Sequence, residues 1–352
     1  MRFSSLSLLA LSVLSASSYA IENGTPVDWS QQDNAVRFDS RQTGRQGLCT
    51  GTLVAGRFVL TAAHCLVESE LDSFTTASGD NYSFSSFVNH GNYFEDDGFS
   101  GEDIGIVIVD APTGYHNIQF LSIDKHTVGE ELTIAGFGDT IETLNRADFT
   151  FSHYYPNPDD PDNPFVVYAN MVNDSHTTGG DSGSAWVNKN SEIITIHKGS
   201  IIVNGWEDTY RETYGTDIQA VKDFITDNID GWHYPTLVDS NGRTTITVQS
   251  LHRDDIFDDA DTTGDVTLIP EDSTCMTNGL IQPFEKCTYV IESSGDEGEL
   301  YLSDSEIIHI NKPIKNTGGD GGNNNTDNDD TGGSMGLWSF LLLGIAALRR
   351  KR

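Results

Sequence analysis

Positive charge is scarce in this chain. Its 352 residues carry 20 Lys and Arg against 53 Asp and Glu, a formal net charge of -33. That balance argues against nucleic acid as a partner, because phosphate backbones are held by clustered cations. It suits a soluble, exported protein in a salty medium, where screening relieves self-repulsion. Cysteine is scarce too, with four in all. No Cys/His spacing matches a zinc site. The acidic turn Glu95-Asp96-Asp97-Gly98 reads as solvated rather than as a calcium loop, so no metal and no cofactor is assigned. The apolar run over residues 335–348 would form a helix of only about 21 Å, against about 30 Å for a hydrocarbon core.

The two ends carry processing signals. Residues 1–20 have the plan of a secretory signal peptide: Arg2 near the start, an apolar stretch over 6–14, and Ser18-Tyr19-Ala20 as the small-x-small cleavage site. Export permits disulfides. Four cysteines allow three connectivities. Pairing those close in sequence and within one proposed domain gives Cys49–Cys65 and Cys275–Cys287.

Residues 177–186 read Thr-Thr-Gly-Gly-Asp-Ser-Gly-Ser-Ala-Trp, with Ser182 at the centre. A serine becomes a nucleophile when a base takes its proton and donors hold the oxyanion. Gly179 and Gly180 suit a tight turn that aims the N–H groups of Gly180 and Ser182 at one point. Upstream, an apolar strand over 58–60 enters Leu-Thr-Ala-Ala-His-Cys, with His64 followed by Cys65. Asp103 stands at the mouth of the run Ile-Gly-Ile-Val-Ile-Val, where a carboxylate can be buried against an imidazole. An α/β-hydrolase esterase elbow does not fit, because position 184 is Ser rather than Gly.

These three motifs, in this order, resemble the trypsin-like (chymotrypsin-fold) serine proteases over residues 21–229. The resemblance implies a triad of Ser182 as nucleophile, His64 as general base and then acid, and Asp103 as the group that orients the imidazole, with an oxyanion hole at Gly180 and Ser182. It also implies that signal cleavage frees Ile21, whose ammonium pairs with Asp181. The residue that is acidic in pockets for Lys or Arg is His176 here. Thr-Thr-Gly-Gly before the nucleophile and Ile-Thr-Ile-His after it resemble bacterial glutamyl endopeptidases. That likeness implies a pocket of His176, Thr177, His197 and Ser200 taking Glu before the cut bond. A protonated His197 would then hold the carboxylate, with Lys198 adding to the field. Asp181, where those enzymes often have Asn, is a departure.

The expected fold is all-β: a double antiparallel barrel with a C-terminal helix, then a small β-sandwich. The helix is expected over 217–229, with Ile218, Val221, Phe224, Ile225 and Ile229 on one face and Asp217 capping its start. Domains follow as signal 1–20, protease 21–231, accessory sandwich 232–315, a Gly/Asn/Asp linker 316–334, and a hydrophobic, basic-tailed segment 335–352. The last resembles the GlyGly-CTERM sorting tail of Gram-negative bacteria. That implies signal peptidase, a rhomboid-type protease and type II secretion as processing partners, transient membrane anchoring, and delivery to the cell surface or medium. The function expected is an exported serine endopeptidase acting on proteins or peptides. The alternatives are a protease with Arg/Lys preference, or a non-catalytic surface binding protein that keeps the fold.

Overall fold

The computed structural model describes residues 21–66, 71–93, 101–138, 140, 143–156, 164–204 and 209–313. The expected signal peptide, the acidic turn at 95–98, most of an expected Pro/Asp loop near 155–164, the linker and the tail lie outside the described residues. Among the described residues, no helix is long and apolar enough to cross a membrane.

The chain is mostly strand. The first sheet has seven strands, ordered Asn81–Ser83, Ser73–Thr75, Ala35–Asp39, Gln46–Val54, Phe58–Thr61, Gly105–Ile108 and Ser86–Asn89. It curls into a half-barrel around Val36, Phe38, Leu53, Val59, Leu66, Phe74 and Val107. The second sheet closes. Glu131–Gly136, Leu144–Tyr154, Val166–Met171, Thr209–Asp217, Glu192–Asn204 and Ala185–Asn188 each pair antiparallel with the next, and the last pairs with the first. The sequence pattern explains the difference between two kinds of strand. Leu144–Tyr154 largely alternates buried with exposed residues, whereas Gly105–Ile108 is apolar throughout because both of its faces are covered. Leu60, Ile104, Ile106, Ile193, Ile196, Ile218 and Ile225 form one apolar cluster that spans both sheets.

The helix is shorter than its apolar spacing predicts. It runs Lys222–Ile229, with Val221 rather than Asp217 at its N-cap. Asp217 ends the preceding strand, and its Oδ1 accepts from the Gln219 N–H at 3.1 Å and faces His126 Nε2 at 3.3 Å. The carboxylate therefore closes a turn. Ile218 and Val221 are buried all the same, because the turn delivers them to the same core as the helix face.

Beyond the helix lie two four-stranded sheets. One contains Trp232–His233, Gly242–Ser250, Lys286–Ser293 and Thr267–Leu268; the other contains Leu237–Val238, Glu306–Ile310, Gly298–Ser303 and Asp261–Gly264. Ile246, Val248, Tyr289 and Ile291 from the first meet Leu300, Leu302, Ile308 and Ile310 from the second in one core, which is the expected sandwich. A buried polar seam joins it to both barrels. His233 Nδ1 accepts from the Ala55 N–H at 3.1 Å, and Thr236 Oγ1 accepts from the Tyr115 N–H at 2.9 Å. Gln249 bonds the N–H and the carbonyl of Leu121, at 2.9 and 2.7 Å. Both expected disulfides are formed, Cys49–Cys65 and Cys275–Cys287.

Candidate active site

Strand pairing brings the first two candidate residues together. Phe58–Thr61 runs antiparallel to Gly105–Ile108, with Thr61 opposite Gly105. His64 lies just past the end of one strand and Asp103 just before the start of the other, so both sit at the same end of the ladder. A single 3-10 turn, Ala63–Cys65, presents the imidazole, and the Cys49–Cys65 disulfide ties that turn to the neighbouring strand.

Asp103 is buried, while the His64 side chain is 34% exposed. The His64 Nδ1–H donates to Asp103 Oδ2 at 2.7 Å, and the His64 backbone N–H donates to Oδ1 at 2.9 Å. Burial by itself would raise the pKa of Asp103. The hydrogen bonds and charge of His64, aided by the nearby Lys198 ammonium, more than offset burial and hold the carboxyl below its ordinary value. With Nδ1 committed as a donor to a carboxylate, Nε2 is left as the basic nitrogen.

Ser182 sits on a turn built by two glycines. Gly180 has φ +91°, and a Cβ there would lie 2.1 Å from the Gly138 carbonyl oxygen. Gly183 has φ +84°, and its Cβ would meet Thr61 Oγ1 at 2.1 Å and the Thr50 carbonyl oxygen at 2.2 Å. Only glycine fits either place. The Thr50 N–H donates to the Ser182 carbonyl at 2.8 Å, and Cys65 Sγ lies 3.8 Å from that oxygen. The backbone of Ser182 thus rests against the residue next to His64. Among the described residues, the N–H groups of Gly180 and Ser182 have no acceptor. The Cys49 and Cys65 sulfurs and the His64 ring lie close together, but the sulfurs are already spent in a disulfide, which leaves no thiolate to hold a metal.

Asp181 is fully buried, and its Oδ2 accepts from the Thr178 N–H at 2.7 Å. Ile21 is fully buried too, among Leu132, Ile134, Phe149 and Trp186. Glu22 is fixed against the segment before Thr177. The His176 N–H donates to the Glu22 carbonyl at 3.0 Å, and His176 Nε2 lies 3.1 Å from Glu22 Oε2. His176 is therefore engaged with Glu22.

Of the other expected pocket residues, Thr177 and Ser200 are neighbours: Ser200 Oγ donates to the Thr177 carbonyl at 3.4 Å. His197 is buried, and its Nδ1 accepts from Trp186 Nε1–H at 3.3 Å. The expectation of a protonated His197 is corrected here. Burial first, then repulsion from His64, lowers its pKa to about 3 against a small opposing pull from Asp103. The ring is neutral at pH 7 and carries its proton on Nε2. Lys198 is buried beside the acid pair, where its own pKa is lowered by burial and partly restored by Asp103 and Glu102. Its field thus acts on Asp103 and Glu102.

One charged residue at this site carries no signal in the sequence. Arg211 donates from a guanidinium nitrogen to Ser200 Oγ at 3.0 Å. Its place follows from the ladder in which Ser200 faces Thr213 and Ile202 faces Arg211. Nothing local in the Tyr-Arg-Glu-Thr stretch announces that pairing.

The family model described as Trypsin matches residues 21–225. Among solved structures, the VesB protease of Vibrio cholerae aligns at 18% identity and TM-score 0.46, over 82% of this chain and 98% of its own. Mouse neuropsin, a serine protease expressed in the limbic system of the brain, aligns at 20% identity and TM-score 0.49, over 59% of this chain and 99% of its own. Human heparin binding protein aligns at 18% identity and TM-score 0.46, over 57% and 93%. With a family match that takes in His64, Asp103 and Ser182 and more than half of the 352 residues, the chain belongs to the trypsin family and is a serine endopeptidase.

Proposed function

We propose that peptide bonds are hydrolysed through an acyl-enzyme on Ser182. His64 Nε2 takes the Ser182 hydroxyl proton as Oγ attacks the substrate carbonyl, and the N–H groups of Gly180 and Ser182 hold the resulting oxyanion. His64 then gives that proton to the leaving amine, so the C–N bond breaks and the acyl-enzyme remains. Water, deprotonated by the same nitrogen, attacks the ester; the acyl C–Oγ bond breaks, the carboxylic acid leaves, and Ser182 Oγ takes the proton back from His64. Asp103 stays ionised throughout and stabilises the imidazolium. The observation that carries this reading is the pair of hydrogen bonds that Asp103 accepts from the ring Nδ1–H and the backbone N–H of His64, at 2.7 and 2.9 Å. Labelling with a fluorophosphonate, followed by mass spectrometry of the modified peptide, tests it. Modification at Ser182 is expected. A label elsewhere, or none, would overturn the assignment and favour a binding protein that keeps the fold.

The finer reading is a preference for Glu, with Asp second, before the cut bond. Its support is a pocket set of Thr177, His197 and Ser200, with His176 occupied by Glu22 rather than offering an acid. A neutral His197 still offers an Nε2–H to a carboxylate. A substrate carboxylate buried without partners would be costly, so such a pocket must supply donors. Further parts of the proposal are export by the signal peptide at 1–20, activation by the freed Ile21 ammonium on Asp181, and sorting through the 335–352 tail to the cell surface or medium.

A further inference from the structure

The pocket of Thr177, His197 and Ser200 lacks a formal positive charge, because His197 is neutral at pH 7. The strand pair that carries Ser200 supplies one. Ser200 lies opposite Thr213, and Ile202 opposite Arg211. Side chains two apart on a strand share a face, so Arg211 lies on the face of Thr213, diagonal to Ser200. Its guanidinium reaches Ser200 Oγ at 3.0 Å, and the same hydroxyl lies 3.4 Å from the Thr177 carbonyl. Among the described residues Arg211 has no carboxylate partner. In a chain with 53 acidic side chains, a half-buried guanidinium resting on a serine hydroxyl is unusual.

The hydroxyls around it point the same way. Thr177 and Thr213 are both buried, and among the described residues the Oγ1 of each has no partner. A buried hydroxyl is normally satisfied. Thr213 faces Ser200 across the ladder, and Ser200 Oγ links the Thr177 carbonyl to the Arg211 guanidinium, so the four residues meet at one place; a carboxylate, with two oxygens and several lone pairs, is the acceptor such donors lack. An ammonium or guanidinium substrate would instead be repelled by Arg211, which has no carboxylate partner among the described residues.

We propose that Arg211 is the specificity-determining cation of this enzyme, receiving the carboxylate of an acidic substrate side chain in concert with the Ser200, Thr177 and Thr213 hydroxyls. The inference rests on the acidic-pocket reading above and names the residue that gives that pocket its charge. The guanidinium fork matches a carboxylate in two bonds, where a single neutral donor makes one. Glu over its uncharged isostere Gln is the discrimination such a group provides.

The test uses the mature enzyme and two matched peptide series that differ only in Glu or Gln before the cut bond. The quantity read is the ratio of kcat/KM for Glu to that for Gln. Wild type is expected to favour Glu by on the order of 100-fold. Arg211→Gln is expected to reduce that ratio at least about tenfold. Arg211→Met keeps the apolar stem and serves if the Gln variant does not accumulate; the same drop is expected. Circular dichroism and fluorophosphonate labelling serve to show that each variant is folded. A wild-type ratio retained in either folded variant overturns the role of Arg211 and leaves the acidic preference standing. A wild type that does not distinguish Glu from Gln, or that cleaves after Arg or Lys, overturns both.

Discussion

Trp186 donates its indole N–H to Nδ1 of His197, 3.3 Å away, with both side chains buried. The bond fixes which nitrogen of the imidazole carries the proton and so decides what the ring can offer. It also makes His197 a source of acid sensitivity. Unfolded, a histidine takes up its proton near pH 6.5; here it does so only at about 3. The sign follows: stability from the neutral, buried ring is complete above about 6.5 and is lost as the pH falls toward about 3. His233, buried in the seam with its pKa lowered by burial to about 4, acts in the same direction. Together they are expected to remove several kcal/mol, on the order of 3 to 6, between pH 7 and 4. Denaturant titrations of the Ser182→Ala protein across that range measure it. A flat profile would show that neither ring stays neutral in the fold.

Replacing Ser182 or His64 by Ala should lower turnover by on the order of 10⁵ to 10⁶, with the double variant no worse than either single one. Asp103→Asn should cost on the order of 10⁴. An amide there donates to Nδ1, moves the proton to Nε2 and leaves no base for Ser182. Steady-state kinetics with circular dichroism as the folding control decides it, and full activity in Asp103→Asn would dismiss Asp103.

The buried Asp181 makes Gly136 a sensitive position. A Cβ there would lie 2.3 Å from Asp181 Oδ1 and 2.7 Å from Ser184 Oγ. Gly136→Ala must displace the carboxylate proposed to receive the Ile21 ammonium. It should lose activity by tenfold or more while still folding. An enzyme with one extra alanine before Ile21 should be impaired to a similar degree, since its ammonium is misplaced. N-terminal sequencing beside the activity assay checks the second case; equal activity of the extended form would remove the activation pair.

Gly180→Ala is expected to cost on the order of 10² to 10³ in turnover, because its Cβ collides with the Gly138 carbonyl and turns the N–H away. Binding of a substrate-like inhibitor should weaken far less, and equilibrium titration separates the two effects.

Protein recovered from culture medium should begin at Ile21 and end near Gly332-Gly333. Intact mass spectrometry measures both ends together. A released form that still carries residues 335–352 would contradict the sorting-tail proposal.

The proposed catalytic set is legible in the sequence because each member stands in a short, dense local context: the small residues before His64, the apolar run after Asp103, the glycines around Ser182. Arg211 is not legible, since its meaning comes from a ladder that sets Thr213 against Ser200 across a hairpin. The state of His197 depends on Trp186 and on full burial, neither of which periodicity reports. The helix start is misplaced by apolar spacing for a related reason: Ile218 and Val221 keep helical spacing while lying in a turn, and Asp217 serves that turn.

The polar seam at His233, Thr236 and Gln249 bears on how the molecule comes apart. Each of these side chains satisfies a main-chain group of the protease barrels: at Ala55 and Tyr115, and at Leu121. Cutting the chain near residue 231 would leave those buried groups bare, at about 1 to 3 kcal/mol apiece. The sandwich is thus no detachable passenger. Heating should give a single calorimetric transition, limited proteolysis should not release an active protease fragment, and a recombinant enzyme truncated after the helix should precipitate. Any exchange of the sandwich for another module would have to carry its half of the seam with it.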